Sequence, residues 1–422
     1  MPKIQKILAR EILDSRGNPT VEAKIFLDNG LEETASVPSG ASRGTYEALE
    51  LRDADFSRFN GQGVLQACRN IEEVISPNLK GFEITNLKEI DQRFIELDGT
   101  ENKSRLGANA ILAVSLASVR AGAKAVNLPI YRYLREILKL NLSDYRLPIP
   151  LFNLINGGRH AESNLEIQEF LVIPKEGEKI SQSIQAVAEI FFNLRGILKT
   201  RRGTSKAVGD EGGLVPILVN NEEGLKFLTE AIDKTGYKLG QDFFLGLDCA
   251  ASEFYDQREF YRFEGKNLRR AELITIYQKW IKNYPLKLLE DPLEENDFSG
   301  WQRLKDELLS VDKNLFIIGD DLFTTNINRL KKGIKFNSAN GIVIKPNQIG
   351  TISETIECIK LAQANNYKIE VAHRSGETND TFIADLAVAV KADFIKVGGL
   401  TRGERIAKYN RLMEIEEELE NI

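Results

Sequence analysis

The sequence predicts an α/β fold of parallel β/α units, its 422 residues suiting a barrel of ordinary size plus one smaller domain. Three observations point there. Between residues 243 and 399, short apolar runs stop in succession at a titratable side chain: 243–247 at Asp248, 286–289 at Glu290, 315–319 at Asp320, 341–344 at Lys345 and 392–395 at Lys396. A sixth run, 367–372, is less apolar and ends at His373 and Arg374. These landmarks lie 42, 30, 25, 28 and 23 residues apart, each enough for a strand, a helix and two loops. The gaps hold helix-like segments such as 300–309 and 351–365, and strands apolar on both faces suit a sheet covered by helices. One charge at a strand end marks no more than the start of a loop. Six in succession, if the sheet closes, would converge on the rim where β/α barrels carry their chemistry.

Ahead of these units, 4–12 and 20–28 read as strands joined by the turn-rich 14–19, and Asn29-Gly30 is a strong hairpin signal. A third strand, 31–37, leads into 38–45, a small, polar, glycine-bearing loop with the composition of a mobile flap or of an ordinary surface loop. The chain from 63 to about 140 is mainly helical: 87–97 has apolar positions at helical spacing, and 109–126 is a small-residue helix suited to close packing. Pro129, Pro148 and Pro150 cluster where this α+β unit should hand over, so the expected domains are 1–140 and 141–422. Segments 151–155 and 166–174 follow as strands and 180–199 as an amphipathic helix. Glu211 then sits framed by Gly209, Gly212 and Gly213. The acidic 413–419 is a solvated helix end.

Composition removes some functions. A net charge of −6 and a pI near 5.5 give no general attraction to nucleic acid or anionic membrane. Cys68, Cys249 and Cys358 are scattered, with no metal- or redox-type spacing, which predicts reduced thiols in a cytoplasmic setting. Charges break every apolar run near the N-terminus, and the longest uncharged helix-like stretch, 109–119, is too short to span a bilayer.

The chemistry follows from charge. Two carboxylates about 4 Å apart repel by roughly 4 kcal/mol at an effective dielectric near 20, so three together need protons or a cation. Asp248, Glu290 and Asp320 form an all-oxygen set suited to a hard divalent ion such as Mg²⁺. Zinc is disfavoured, with two histidines in the chain and no cysteine expected at the set. Lys345 and Lys396 are expected near each other, Arg374 and the metal, a cationic neighbourhood that lowers a lysine's pKa and yields a usable base. Arg374 and Ser375 offer donors for an anion such as phosphate, and Glu211 could act as an acid toward a departing hydroxyl. Together these residues permit metal-assisted proton abstraction next to a carboxylate.

At these residues the chain closely resembles the enolase family, of bacterial type. The motifs run nearly end to end: DSRGNPTVE, PSGAS, LDGTENKSRLGANAIL, NGGRHA, QEF, GDEGG, LDCAASEFY, EDP, GDDLF, NQIGT, HRSGET and AKYNRL. The resemblance implies an eight-stranded β/α barrel, its first units departing from simple βα order, capped by an N-terminal α+β domain. It implies reversible dehydration of 2-phosphoglycerate to phosphoenolpyruvate, with two Mg²⁺ per site. Asp248, Glu290 and Asp320 would hold the first, and Ser42 the second, which arrives with substrate. Lys345 would take the C2 proton, Glu211 would assist loss of the C3 hydroxyl, Lys396 would pair with the substrate carboxylate, and Arg374 and Ser375 would bind phosphate. His160, Gln168, Glu169 and His373 would line the site, and the family assembles as dimers or larger oligomers up to octamers. Arg43, Ala372, Pro346 and 397–399 depart from the family's usual residues without removing a catalytic group. They suggest a divergent member, and leave as an alternative an enolase-like paralogue that binds a partner. A superfamily racemase or lyase on another carboxylate is weakened by Glu211 and by the phosphate-suited Arg374-Ser375.

Overall fold

A computed structural model describes residues 1–40, 44–140, 144–203, 206–256 and 258–421; the flap positions Ser42 and Arg43 lie outside these described residues. The N-terminal strands β1 (Ile4–Leu13), β2 (Pro19–Leu27) and β3 (Glu32–Ser36) form an antiparallel meander. Alternation along β2 buries Val21, Ala23, Ile25 and Leu27 on one face. Helix Ala108–Ala125 packs on β2 and β3, its small side chains letting it lie close to the sheet.

Eight strands close the barrel in the order β4 (Ile149–Asn156), β5 (Glu169–Pro174), β6 (Phe243–Asp248), β9 (Leu286–Glu290), β10 (Phe316–Gly319), β11 (Gly341–Ile344), β12 (Lys368–Ala372) and β13 (Phe394–Lys396), with β13 pairing back to β4. A small hairpin, β7 (Tyr261–Phe263) with β8 (Lys266–Leu268), interrupts the connection from β6 to its helix. The predicted strand 166–174 begins only at Glu169, and helix Asn221–Asp233 and the small hairpin are additions to the predicted elements. That helix carries a legible start signal, since the Asn220 side chain accepts from the Glu223 backbone N–H.

The one reversed strand is β5, antiparallel to both neighbours. Between β4 and β5 the chain makes only the short 3₁₀ turn Gly158–His160, with no α-helix to return it to the starting end. The reversal brings the first residue of β5, Glu169, to the rim where the other strands end: Glu169 pairs with Asp248 and with Asn156. Below the rim, Leu151, Leu171, Ile173, Leu288, Ile318, Val343, Ala372 and Phe394 fill the barrel as a dry plug.

The N-terminal domain is tied to that same rim. Ser39 and Gly376 exchange both backbone hydrogen bonds, at 2.7 and 2.9 Å, and Ser15 donates to the Glu377 carbonyl at 2.7 Å. A Cβ on Gly376 would lie 2.7 Å from the Ser39 carbonyl oxygen, so no other residue fits there without displacing the junction.

Candidate functional site

Strand pleating turns Asp248, Glu290, Asp320, Lys345 and Lys396 inward, and His373 joins them from the segment that follows β12, all buried or nearly so. The signs alternate. Lys396 Nζ lies 2.5 Å from Glu290 Oε2 and 3.2 Å from both Asp248 Oδ2 and Glu169 Oε1. Lys345 Nζ is in direct contact with Asp320 Oδ2, whose Oδ1 accepts from Gln348 Nε2 at 2.9 Å. Gln168 Nε2 donates to Asp248 Oδ2 at 3.1 Å.

Around the lysines the charges are of both signs. Burial and the cationic neighbours Arg374 and Lys396 do press the Lys345 pKa down, but the Asp320 carboxylate in contact outweighs them and holds it above the ordinary lysine range. Lys396 is likewise held well above its usual value: burial opposes its charge, and Asp248, Glu169 and Glu290 overcome it. Burial drives Glu290 well above the carboxylate range, with Asp248 adding to it and Lys396 opposing.

The opposite wall carries the second acid group. The loop holding Glu211 turns at Gly212, whose φ of +87° is open to glycine and strained for other residues. Glu211 Oε2 lies 3.1 Å from His160 Nδ1 and accepts from Asn153 Nδ2 at 3.2 Å, while its Oε1 is 3.5 Å from His373 Nε2. Arg405 Nη1 lies 2.7 Å from His373 Nδ1. A guanidinium can only donate, so Nδ1 is the bare nitrogen and Nε2 carries the hydrogen that faces Glu211. Burial holds the His373 pKa well below its usual value, so the ring is neutral. Glu169 and Glu211 lie close together, and the pair splits: burial and the Glu211 charge push Glu169 well above the usual range, whereas His160 in contact and the Arg405 charge help overcome burial and hold Glu211 well below it. Any proton on this carboxylate pair therefore rests mainly on Glu169.

A third corner carries the cationic Arg374 and Arg405. Buried Arg405 also donates to the carbonyls of Arg374 and Ser375, each at 2.6 Å, and so fixes the segment that follows β12. The Arg374 guanidinium holds Glu47 from the N-terminal domain through two hydrogen bonds of 2.9 and 3.1 Å. Ser375 lines the same pocket, with His160, Gln168, Glu169, Glu211, Asp248, Asp320, Lys345, His373 and Lys396.

The donors suit a hard divalent cation. Carboxylates dominate the pocket, and Glu290 Oε1 and Glu169 Oε2 are buried without a hydrogen-bond partner. Among the described residues, the ligand atoms that come within 4.8 Å of one another form two groups, His160-Glu169-Glu211 and Asp291-Asp320-Asp321. Asp248 and Glu290 instead meet around the Lys396 ammonium, which stands between them. Cys249 follows Asp248 in sequence but is buried with Tyr277 of helix Arg270–Asn283 in the outer apolar core. No helix by itself is long and apolar enough to cross a membrane among the described residues.

Glu47, Gln348, Asp291, Arg405 and Glu370 were not anticipated. Asp291 and Gln348 lie within the motifs EDP and NQIGT, and Glu370 left a signal as the charge that breaks the sixth apolar run. It is 0% exposed inside the barrel, and burial pushes its pKa up to about 7 despite Lys396.

Two family descriptions match the chain: Enolase, N-terminal domain, over residues 4–134, and Enolase, C-terminal TIM barrel domain, over residues 144–422.

Proposed function

The chain belongs to the enolase family, and from that premise and the rim geometry we propose an Mg²⁺-dependent lyase that interconverts 2-phosphoglycerate and phosphoenolpyruvate. The observation that carries this reading is the meeting of the Lys345–Asp320 and Lys396–carboxylate pairs, the Glu169–Glu211 pair and Arg374 in one pocket.

Asp248, Glu290 and Asp320 would hold a divalent cation, which supplies positive charge to the substrate carboxylate as the α-proton leaves. Lys345 removes the C2 proton once Asp320 is committed elsewhere and no longer stabilises the ammonium. Lys396 pairs with the substrate carboxylate. The Glu169–Glu211 pair faces the C3 hydroxyl, Glu211 making the contact, and the proton carried by Glu169 passes to Glu211 as Glu211 gives one to the departing oxygen. Arg374 and Ser375 take the phosphate, exchanging the Glu47 carboxylate for it. Ser42 would help hold a second divalent cation that arrives with substrate. The protein works in the cytoplasm as a homodimer or larger oligomer.

Purified protein should form phosphoenolpyruvate, seen by its ultraviolet absorbance, with Mg²⁺ and not after chelation. Absence of Mg²⁺-dependent product would end the proposal. Because Glu47 occupies Arg374, Glu47→Gln should lower KM for 2-phosphoglycerate by roughly tenfold, the equivalent of about 1.4 kcal/mol, with kcat little changed. Titration of initial rates checks this, and an unchanged or higher KM would show that Glu47 does not compete with phosphate.

A further inference from the structure

Glu370 stands where the dry plug of the barrel meets the charged rim. On β12 it pairs with Val343 on one side and Phe394 on the other, both apolar plug residues. Neither of its carboxylate oxygens has a hydrogen-bond partner among the described residues, although it is fully buried. Its nearest opposite charge is Lys396 Nζ, 3.9 Å from Oε1 and therefore just out of hydrogen-bond reach. A buried carboxylate without partners lowers stability, and a hydrocarbon side chain would fill this layer better. The residue is therefore explained by what happens above it.

Lys396 is held by Glu290, Asp248 and Glu169. Two of these, Glu290 and Asp248, are the carboxylates proposed to turn toward a divalent cation. Their commitment leaves an ammonium beside a doubly charged ion with Glu169 as its remaining close partner, an arrangement opposed by like-charge repulsion.

We propose that Glu370 is a positioning residue, a reserve anchor beneath Lys396 that takes over the ammonium when Asp248 and Glu290 engage a divalent cation. A movement of the Lys396 tip by about 1 Å closes the gap to hydrogen-bond distance. The added negative charge lies under both the ammonium and the cation, so it favours cation binding and keeps Lys396 aimed at the substrate carboxylate. This inference rests on the proposed function, and its test separates the two.

The experiment compares wild type with Glu370→Gln, Glu370→Leu and Glu370→Asp as full-length proteins. Calorimetry with Mg²⁺ and Mn²⁺ alone, thermal unfolding of the metal-free protein, and KM and kcat for 2-phosphoglycerate are measured. The Gln and Leu variants should bind the ions about tenfold more weakly, with KM rising more than kcat falls. Their metal-free forms should melt at or above the wild-type temperature, and Asp should restore part of the ion affinity. Ion affinity and KM within twofold of wild type in an active enzyme would overturn this inference and leave the function standing. A lower metal-free melting temperature in both Gln and Leu variants would assign Glu370 a structural role and overturn it as well. Wild-type protein that neither binds divalent ions nor turns over would overturn the function and, with it, this inference.

Discussion

Lys345→Ala should abolish exchange of the substrate's C2 proton with solvent and lower kcat by about 10²–10⁴-fold, the range of a positioned general base. The substitution is clean because the backbone at the end of β11 is held independently of the side chain: the Lys345 N–H donates to Thr325 Oγ1 at 2.9 Å. The amine is removed, and the strand end has no reason to move. It also takes from Asp320 its contacting counter-charge while leaving the hydrogen bond from Gln348 at 2.9 Å. A freed carboxylate binds a cation more readily, so Mg²⁺ affinity in this variant should be equal to or tighter than wild type. Loss of turnover with retained ion binding is the pattern expected of a missing base rather than a collapsed site. Deuterium exchange at C2, followed by NMR, checks it. Exchange that persists in the variant would move the base elsewhere in the pocket.

Much of this architecture was legible because burial on both faces writes a strand as an apolar run, and the first inward polar side chain then marks the rim. Asp248, Glu290, Asp320, Lys345 and Lys396 all lie where those runs predicted, at one end of one barrel. Which charge meets which was not legible. Spacing along the chain places a lysine at the rim but says nothing of whether it faces another cation or a carboxylate. Lys345 does lie near the expected Arg374 and Lys396, but it also makes a direct contact with Asp320. The reversal of β5 depends on a connection without a helix, which apolar periodicity does not report, and only the family resemblance implied an irregular start. Glu47 reaches Arg374 across 327 positions of sequence and from the other domain, a contact with no local signature. Glu370 had one, yet an acid inside an apolar run reads equally well as a strand edge until the strand is seen to be enclosed.

The second large effect concerns the cation. Glu290→Gln should remove the divalent-ion response of the protein at concentrations that saturate wild type, and activity with it. Glu290 is fully buried, and its Oε1 has no hydrogen-bond partner among the described residues, so an oxygen could turn to a cation without breaking a hydrogen bond. Glutamine has the same shape, so packing at the end of β9 survives, and a charged ligand becomes a neutral one. A carboxyl that gives up its proton to a divalent ion at contact distance gains a charge that an amide cannot, and its loss weakens binding by on the order of 100-fold even with strong screening. Lys396 keeps Asp248 and Glu169, both 3.2 Å away, so the ammonium stays in the site. Wild type at an ion concentration near 100 times Kd gains about 2.7 kcal/mol of stability, roughly 3 °C in melting temperature for a chain of this length. The variant at the same concentration should gain less than about 0.5 kcal/mol. Thermal unfolding across a Mg²⁺ series measures both, and a variant that shifts as far as wild type would show that Glu290 serves Lys396 alone and that the cation is held by other carboxylates, with Asp291, Asp320 and Asp321 the next set to test.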